Sequence, residues 1–323
     1  MLSGGVGGSR FIEGLLRIKG SGDEVTVIAN TADDISLFGL RISPDLDTVM
    51  YTLGDGIDRE RGWGRTDETW NAKDELGAYG IEQAWFGLGD RDIATHLVRA
   101  MRLQEGRTLS EVTAELCERW KPGVRLLPMS DDRVETHIGI TRAGVRELIH
   151  FQEYWIRLRA QVPVEEVVLQ GIDDARPAPG VVEAILGADL VILPPSNPIV
   201  SIGPIAAVAG IREAIATTTA PVVGVSPIIG AGAVRGMADQ LLTGLGIQIS
   251  ASGVAARHGA RTDGGLLDGW LVDATDASQT ADIEALGIRA RAVPLWMTDE
   301  STTDQLARDT VDLALSLSPR AAG

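Results

Sequence analysis

Gly4-Gly5-Val6-Gly7-Gly8-Ser9-Arg10 stands three residues into the chain, and its reading decides the fold. Four glycines in five positions leave backbone N–H groups unshielded by side chains and permit positive φ. The residues that follow, Phe11-Ile12-Glu13-Gly14-Leu15-Leu16-Arg17-Ile18, are apolar at helical spacing, so the loop opens a helix. Bare amides at a helix N-terminus suit phosphate. No Gly-Lys-Ser/Thr closes the stretch, which rules out a Walker loop. It also fails the dinucleotide fingerprint, because Arg10 stands where glycine or alanine is required. Packing alone explains many glycine-rich strand–helix turns. Arg10 favours phosphate, since a guanidinium beside bare amides complements anionic oxygens. Only Met1-Leu2-Ser3 precede the loop, so the first strand is expected to be very short or incomplete.

A chain of 323 residues can bury a sizeable core. With 29 basic and 45 acidic residues the net charge is −16, which argues against a duplex nucleic-acid partner. A nucleotide stays compatible, because amides and a divalent cation can meet its phosphates. The single cysteine, Cys117, excludes an internal disulfide and fits a reducing compartment. The sequence carries neither a secretory signal nor an apolar run approaching membrane-spanning length, so a cytoplasmic protein is expected.

Working outward, short apolar runs predict strands at 24–30, 126–129, 189–193, 221–225, 270–272 and 289–294. Stretches 135–140 and 146–155 read as a hairpin or edge. Helices are expected from Val49, from about Ile93, after the Thr108-x-x-Glu111 capping box, and over 181–186, 205–216, 233–245 and 303–315. In the helix after Asp92, Ile93, Ala94, Leu97, Val98 and Met101 share the apolar face that should turn inward. The pattern is that of an α/β, Rossmann-like fold: one domain over 1–323, a mostly parallel open sheet with helices on both faces, and a mainly helical insertion over 48–124. Asn-Thr-Ala-Asp-Asp (30–34), Met-Ser-Asp-Asp (129–132), Pro-Ser-Asn-Pro (195–198) and Ser226-Pro227 each follow a strand. They should line the crevice at the strands' carboxyl ends, beside the glycine loop.

Asp33, Asp34, Asp45, Asp47, Asp131 and Asp132 are too many acids for one crevice to hold unpaired. A hard cation such as Mg²⁺ resolves the repulsion and bridges phosphate oxygens. Turn formation and capping compete with that reading, Asp45 being well placed to cap the helix after Pro44. Asp47, in the first helical turn, is free of the cap role and can face the crevice. Its neutralisation should cost turnover and little stability. Ser196, Asn197 and Ser226 offer uncharged groups for phosphate or a base edge. His96, His137, His150 and His258 have no zinc-site spacing and read as structural. Trp63, Trp70 and Trp85 offer an aromatic wall for a flat ring, though packing competes for each.

Taken in order, the motifs carry a resemblance. Gly-Gly-Val-Gly-Gly, Ser43-Pro44-Asp45-Leu46-Asp47-Thr48, Gly87-Leu88-Gly89-Asp90-Arg91-Asp92 and Leu127-Pro128-Met129-Ser130-Asp131-Asp132 are followed by His150-Phe151-Gln152-Glu153, Pro195-Ser196-Asn197-Pro198 and Ser226-Pro227-Ile228-Ile229-Gly230. Together they resemble the 2-phospho-L-lactate transferase family of coenzyme F-420 biosynthesis. Arg-Gly-Trp-Gly (61–64), Asp67-Glu68-Thr69-Trp70 and Gly269-Trp270-Leu271-Val272 look like its actinobacterial phosphoenolpyruvate transferase branch. The resemblance implies Mg²⁺-dependent transfer of a phosphoenolpyruvyl or 2-phospho-L-lactyl group from a guanosine diphosphate-linked donor to the deazaflavin Fo, releasing GMP. It implies a homodimer, and an insertion that helps to bind the acceptor. Gly4, Gly5, Gly7, Gly8, Ser9, Arg10, Ser196, Asn197 and Ser226 would meet the donor. Asp33, Asp34, Asp45 and Asp47 would serve the metal, the first two and Asp47 being catalytic; Asp47, Arg91 and Met129 would meet Fo. A non-catalytic nucleotide-sugar-binding regulator of the gluconeogenesis-factor type shares similar loops and is the alternative. The failed fingerprint argues against a nicotinamide oxidoreductase.

Overall fold

Leu2–Ser3 forms the first strand, β1, in the computed structural model, which describes residues 1–234, 236 and 238–317. It pairs in parallel with β2, Thr26–Ala29, Leu2 opposite Ile28 and Ser3 opposite Ala29. The Met1 carbonyl lengthens the ladder by accepting from the Ile28 amide at 2.8 Å. Helix α1, Val6–Ile18, connects the two strands and buries Phe11 and Ile12. A hairpin follows, β3 (Ile35–Leu37) with β4 (Leu40–Ile42), where the sequence suggests only an apolar connection. The chain then runs through α2 (Pro44–Leu53), α3 (Asn71–Ala78), α4 (Asp90–Gln104) and α5 (Leu109–Trp120), the last opened by the expected capping box. It returns to the sheet at β5, Arg125–Pro128, parallel to β2.

An antiparallel sheet comes next: β6 (Glu135–Arg142), β7 (Val145–His150) and β8 (Glu166–Gln170), with β6 central. The second strand thus stops at His150, earlier than its apolar pattern suggests, and a π-helical turn carries Trp155 away from the ladder. The second half comprises α6 (Val181–Leu186), β9 (Val191–Leu193), α7 (Ile202–Ala207), α8 (Ile211–Thr217) and β10 (Val222–Val225). A small hairpin of β11 (Ile228–Ile229) and β12 (Gly232–Ala233) leads to α9 (Ala238–Gly244) and α10 (Ala251–His258). Strand β13 (Gly269–Asp273), α11 (Thr280–Ala285), β14 (Arg289–Val293) and α12 (Glu300–Leu317) close the described chain. The expected helix over 205–216 is broken at Gly210, whose φ of +94° only glycine adopts freely.

Two parallel sheets, β5-β2-β1 and β9-β10-β13-β14, abut where β1 lies beside β9. Every residue of β9, β10 and β13 is buried, as strands covered on both faces must be. Helices α1 and α12 close one face over Val223 and Leu271, and residues of α6, α8 and α10 close the other. This is the Rossmann-like α/β architecture that the alternation of elements predicts. Strand order reverses between β1 and β9, and a ligand crevice belongs at that point. No helix among the described residues is long and apolar enough to cross a membrane.

His258, at the end of α10, is buried against Trp270, and burial pushes its imidazole down to about 4. Between pH 6.5 and 4 the unfolded chain therefore binds a proton there that the folded chain does not, so stability falls as pH falls through that window. His258→Phe should remove up to about 3 kcal/mol of this acid sensitivity. Urea unfolding at pH 7 and pH 4.5 would read it. Equal pH slopes for both proteins would show that His258 does not contribute.

Candidate functional site

The glycine loop and the Pro-Ser-Asn-Pro turn meet at the junction of the two sheets. Gly4 donates its amide to Ser196 Oγ at 3.1 Å, which ties the end of β1 to the end of β9. None of Gly4, Gly5, Gly7 and Gly8 has a positive φ; close approach is what requires glycine here. A Cβ on Gly5 would stand 2.7 Å from Asp45 Oδ1, and one on Gly7 would run into the Pro195 carbonyl. The loop therefore shapes the fold as well as presenting amides. α1 begins at Val6, so its first-turn amides at Val6, Gly7 and Gly8 have no intrahelical acceptor, and the helix dipole favours an anion there.

A single cleft of about 690 Å³ opens at this junction. Gly4, Gly5, Gly7, Ser196, Asn197, Asp33, Asp45 and Asp47 line it. Gly8, Ser9 and Ser226 do not. Ser9 Oγ donates to the Val6 carbonyl at 3.1 Å, and Ser226 Oγ is spent on Ile228. Arg10, expected beside the phosphates, is exposed and off the lining, because the fifth residue of the helix turns away from its N-terminal end. Asn197 Oδ1 accepts from Ile199 and Val200, so it holds its own turn.

The acids sort into three groups. Asp131 accepts from the Ser110 amide and hydroxyl, and Asp132 from the Arg176 amide; both are structural. Asp34 turns from the cleft to Arg41 Nε at 2.9 Å and Ser43 Oγ at 2.8 Å. Asp47 faces the cleft, but Arg99 grips both its oxygens through NH1, at 3.0 Å, and NH2. Asp33 and Asp45 remain. Asp33 Oδ1 is buried with no partner, and burial followed by the Asp45 charge pushes its carboxyl well up. Asp45 does not cap α2, whose N-cap is Ser43; it accepts from Asn30 Nδ2 at 3.0 Å, and burial raises it to about 6. No three acidic, histidine or cysteine side chains among the described residues form a metal cage. Two carboxylates with an orphaned oxygen do fit Mg²⁺, which takes one or two protein carboxylates and completes its shell from substrate phosphates and water.

The acidic turn is clamped from behind. His150 Nδ1 accepts from the Gln152 amide at 3.1 Å, so the proton sits on Nε2, which donates to the Asp34 carbonyl at 3.1 Å. Burial holds this imidazole down to about 4, and it stays neutral.

Helix α4 reverses the expected orientation. Leu97, Val98 and Met101 are exposed at 48%, 37% and 56%, while Asp92, Thr95, His96 and Arg99 are buried. The buried stripe forms a network: Tyr51 donates to Asp92 at 2.7 Å, His96 Nε2 lies 3.3 Å from Asp92, and Arg99 NH1 stands 3.1 Å from His96 Nδ1. Arginine can only donate, so Nδ1 is the acceptor. Asp92, His96 and Tyr51 line the cleft and were not anticipated; the signal was polar residues spaced 92, 95, 96 and 99. The aromatic wall is Trp63, Phe86, Phe151 and Trp155, while Trp70 and Trp85 stand off it. Arg91 lies outside the cleft, 3.7 Å from Asp67. Met129 is fully buried at a strand end, its amide on Ala29, so its side chain joins the core.

With this geometry in place, comparison with known proteins is informative. The model of the family described as 2-phospho-L-lactate transferase CofD matches residues 1–306. A phosphoenolpyruvate transferase of Streptomyces griseus is 58% identical over 97% of each chain. One from Thermobifida fusca is 55% identical over 99% of this chain and 98% of its own. A solved structure of a Bacillus halodurans protein of the UPF0052 family covers 96% of this chain and 97% of that one, at TM-score 0.63 and 17% identity, which speaks to the fold alone. The chain belongs to the 2-phospho-L-lactate transferase family, beside the actinobacterial phosphoenolpyruvate transferases.

Proposed function

We propose that this transferase of coenzyme F-420 biosynthesis moves a phosphoenolpyruvyl group from its guanosine diphosphate-linked donor to the deazaflavin Fo, with Mg²⁺, giving dehydro-F-420-0 and GMP. The donor acid is taken as enolpyruvyl from the names of the relatives; a lactyl donor would give F-420-0. One observation carries the reading: one cleft is lined by the start of α1, by Asp33 and Asp45, and by Trp63 and Trp155. These supply what the transfer needs: amides for a diphosphate, carboxylates for a metal and a wall for a flat ring.

In the proposed reaction the ribityl hydroxyl of Fo attacks the phosphorus that bears the acid. The bond from that phosphorus to the bridging oxygen breaks, GMP leaves with the electron pair, and the hydroxyl proton is released. Such transfers rest on positioning and charge neutralisation. Amides of Val6 and Gly7 hold the diphosphate, and Trp63 and Trp155 flank the ring. Asp47, fixed by Arg99, accepts the hydroxyl's hydrogen bond. Arg99 holds both of its oxygens in place, so its part is to orient the hydroxyl. Asp33 and Asp45 would hold Mg²⁺, which when bound neutralises the diphosphate charge. Arg91 and Met129 are not carried into this scheme. A homodimer is, and sedimentation would read it.

Purified protein, Fo, Mg²⁺ and the enolpyruvyl donor should yield GMP and the phosphoenolpyruvyl ester of Fo by mass spectrometry. No ester with either donor would refute the transfer. Binding of a guanine nucleotide without response to Fo in a fluorescence titration would favour a regulator.

A further inference from the structure

We propose that Arg61 anchors the carboxylate of the donor's three-carbon acid, a role that rests on the transfer proposed above. The described lining of the cleft carries four carboxylates, Asp33, Asp45, Asp47 and Asp92, and a single Lys or Arg side chain, that of Arg61. The donor brings two kinds of anion. Its diphosphate is met by helix amides and the metal; its carboxylate needs a counter-charge of its own, and in so acidic a cleft a bare carboxylate would be repelled.

Arg61 is built to supply that charge. Its guanidinium carbon stands 5.4 Å from the Trp63 ring centroid and 5.0 Å from that of Trp70, so two indoles fix its plane. Asp58 pairs with NH2 at 2.7 Å, and the Arg65 carbonyl accepts from the same nitrogen at 3.2 Å. The Nε–H is buried and has no partner. Both partners fall on one nitrogen, so the guanidinium keeps further N–H groups to offer. A planar fork is the geometry that carboxylates select.

The position fits the chemistry. Trp63 and Trp70 lie over Gly87, next to the wall formed by Phe86 and Leu88, on the insertion side of the cleft. The phosphorus that moves to the acceptor is the one bearing the acid. The acid is a substituent beside the line from acceptor to leaving group, so it lies next to the acceptor, and Arg61 stands over Trp63 of the proposed ring wall.

The test compares Arg61→Gln and Arg61→Lys with wild type in three measurements: KM and kcat for the enolpyruvyl donor, Kd for GDP, which lacks the carboxylate, and Kd for Fo. For Arg61→Gln the donor KM should rise about tenfold to a hundredfold, the worth of one charge-assisted pair, with GDP affinity unchanged and Fo affinity and melting temperature moving far less than the donor KM. Arg61→Lys, which keeps the charge and loses the fork, should fall between. Parallel loss of donor and GDP affinity would overturn the assignment in favour of a diphosphate contact. Loss of Fo affinity with donor KM unchanged would overturn it in favour of the acceptor. Wild-type protein that binds neither GDP nor donor would instead overturn the transferase reading itself, and this inference with it.

Discussion

Asp33→Asn should cut transfer at least a hundredfold while leaving the ligand-free protein as stable as wild type or more so. The two halves of this expectation have one cause. Asp33 is buried, one of its oxygens has no partner, and burial followed by the Asp45 charge disfavours its ionised form. Each unit by which burial raises a carboxyl costs the ionised form about 1.4 kcal/mol. Asparagine removes that cost. With Mg²⁺ and donor present the charge is the point of the residue, and losing a metal ligand costs about 3 kcal/mol or more in the barrier, at about 1.4 kcal/mol per decade. Asp45→Asn should differ. Asp45 accepts from Asn30 Nδ2, and the new amide would set a donor against a donor, so it should lose about 1 kcal/mol of stability along with its activity. Turnover and melting curves with and without Mg²⁺ and donor decide the matter. An Asp33→Asn protein with normal turnover, or one stabilised by Mg²⁺ and donor as wild type is, would remove Asp33 from the metal site.

The parallel strands were legible because burial on both faces leaves a plain apolar run, as in Val191–Leu193 and Val222–Val225. The crevice was legible for the same reason, since each run ends abruptly in polar residues. Strand β8 was missed: its residues are mostly half-buried and neither alternate nor form a fully apolar run. Asp33 and Asp34 are neighbours of one type, and nothing local tells them apart. Arg41 and Ser43, brought by a hairpin the sequence barely marks, hold one oxygen of Asp34, and it is Asp33 that lines the cleft. Helix α4 misled for a more general reason. Periodicity identifies two faces, and hydrophobicity normally says which turns inward. Here the polar stripe carries its own partners, Arg99 for Asp47 and the Tyr51 hydroxyl for Asp92, so it can be buried.

That compensation sets the largest expected stability effect. The sequence alone suggested that Asp47 could lose its charge at little cost to the fold. The structure reverses this. Arg99 is 1% exposed and grips both Asp47 oxygens, with His96 Nδ1 accepting from the same guanidinium. Breaking a buried pair by removing one partner costs about 3–5 kcal/mol, because the other charge stays buried and unpaired. Asp47→Leu and Arg99→Met should each lose about that much in urea unfolding, with m-values unchanged. The double variant should recover most of it, since an apolar pair of similar volume replaces a buried ion pair at little net cost. Activity should not follow stability. If Asp47 orients the acceptor hydroxyl, the double variant folds well and still turns over about a hundredfold slower, whereas Arg99→Met, which keeps the carboxylate but loosens it, loses less. A double variant that regains wild-type turnover along with its stability would make Asp47 the counter-ion of Arg99 and nothing more, and would pass the orienting role to Asp92, which lines the same cleft and is held by Tyr51 at 2.7 Å.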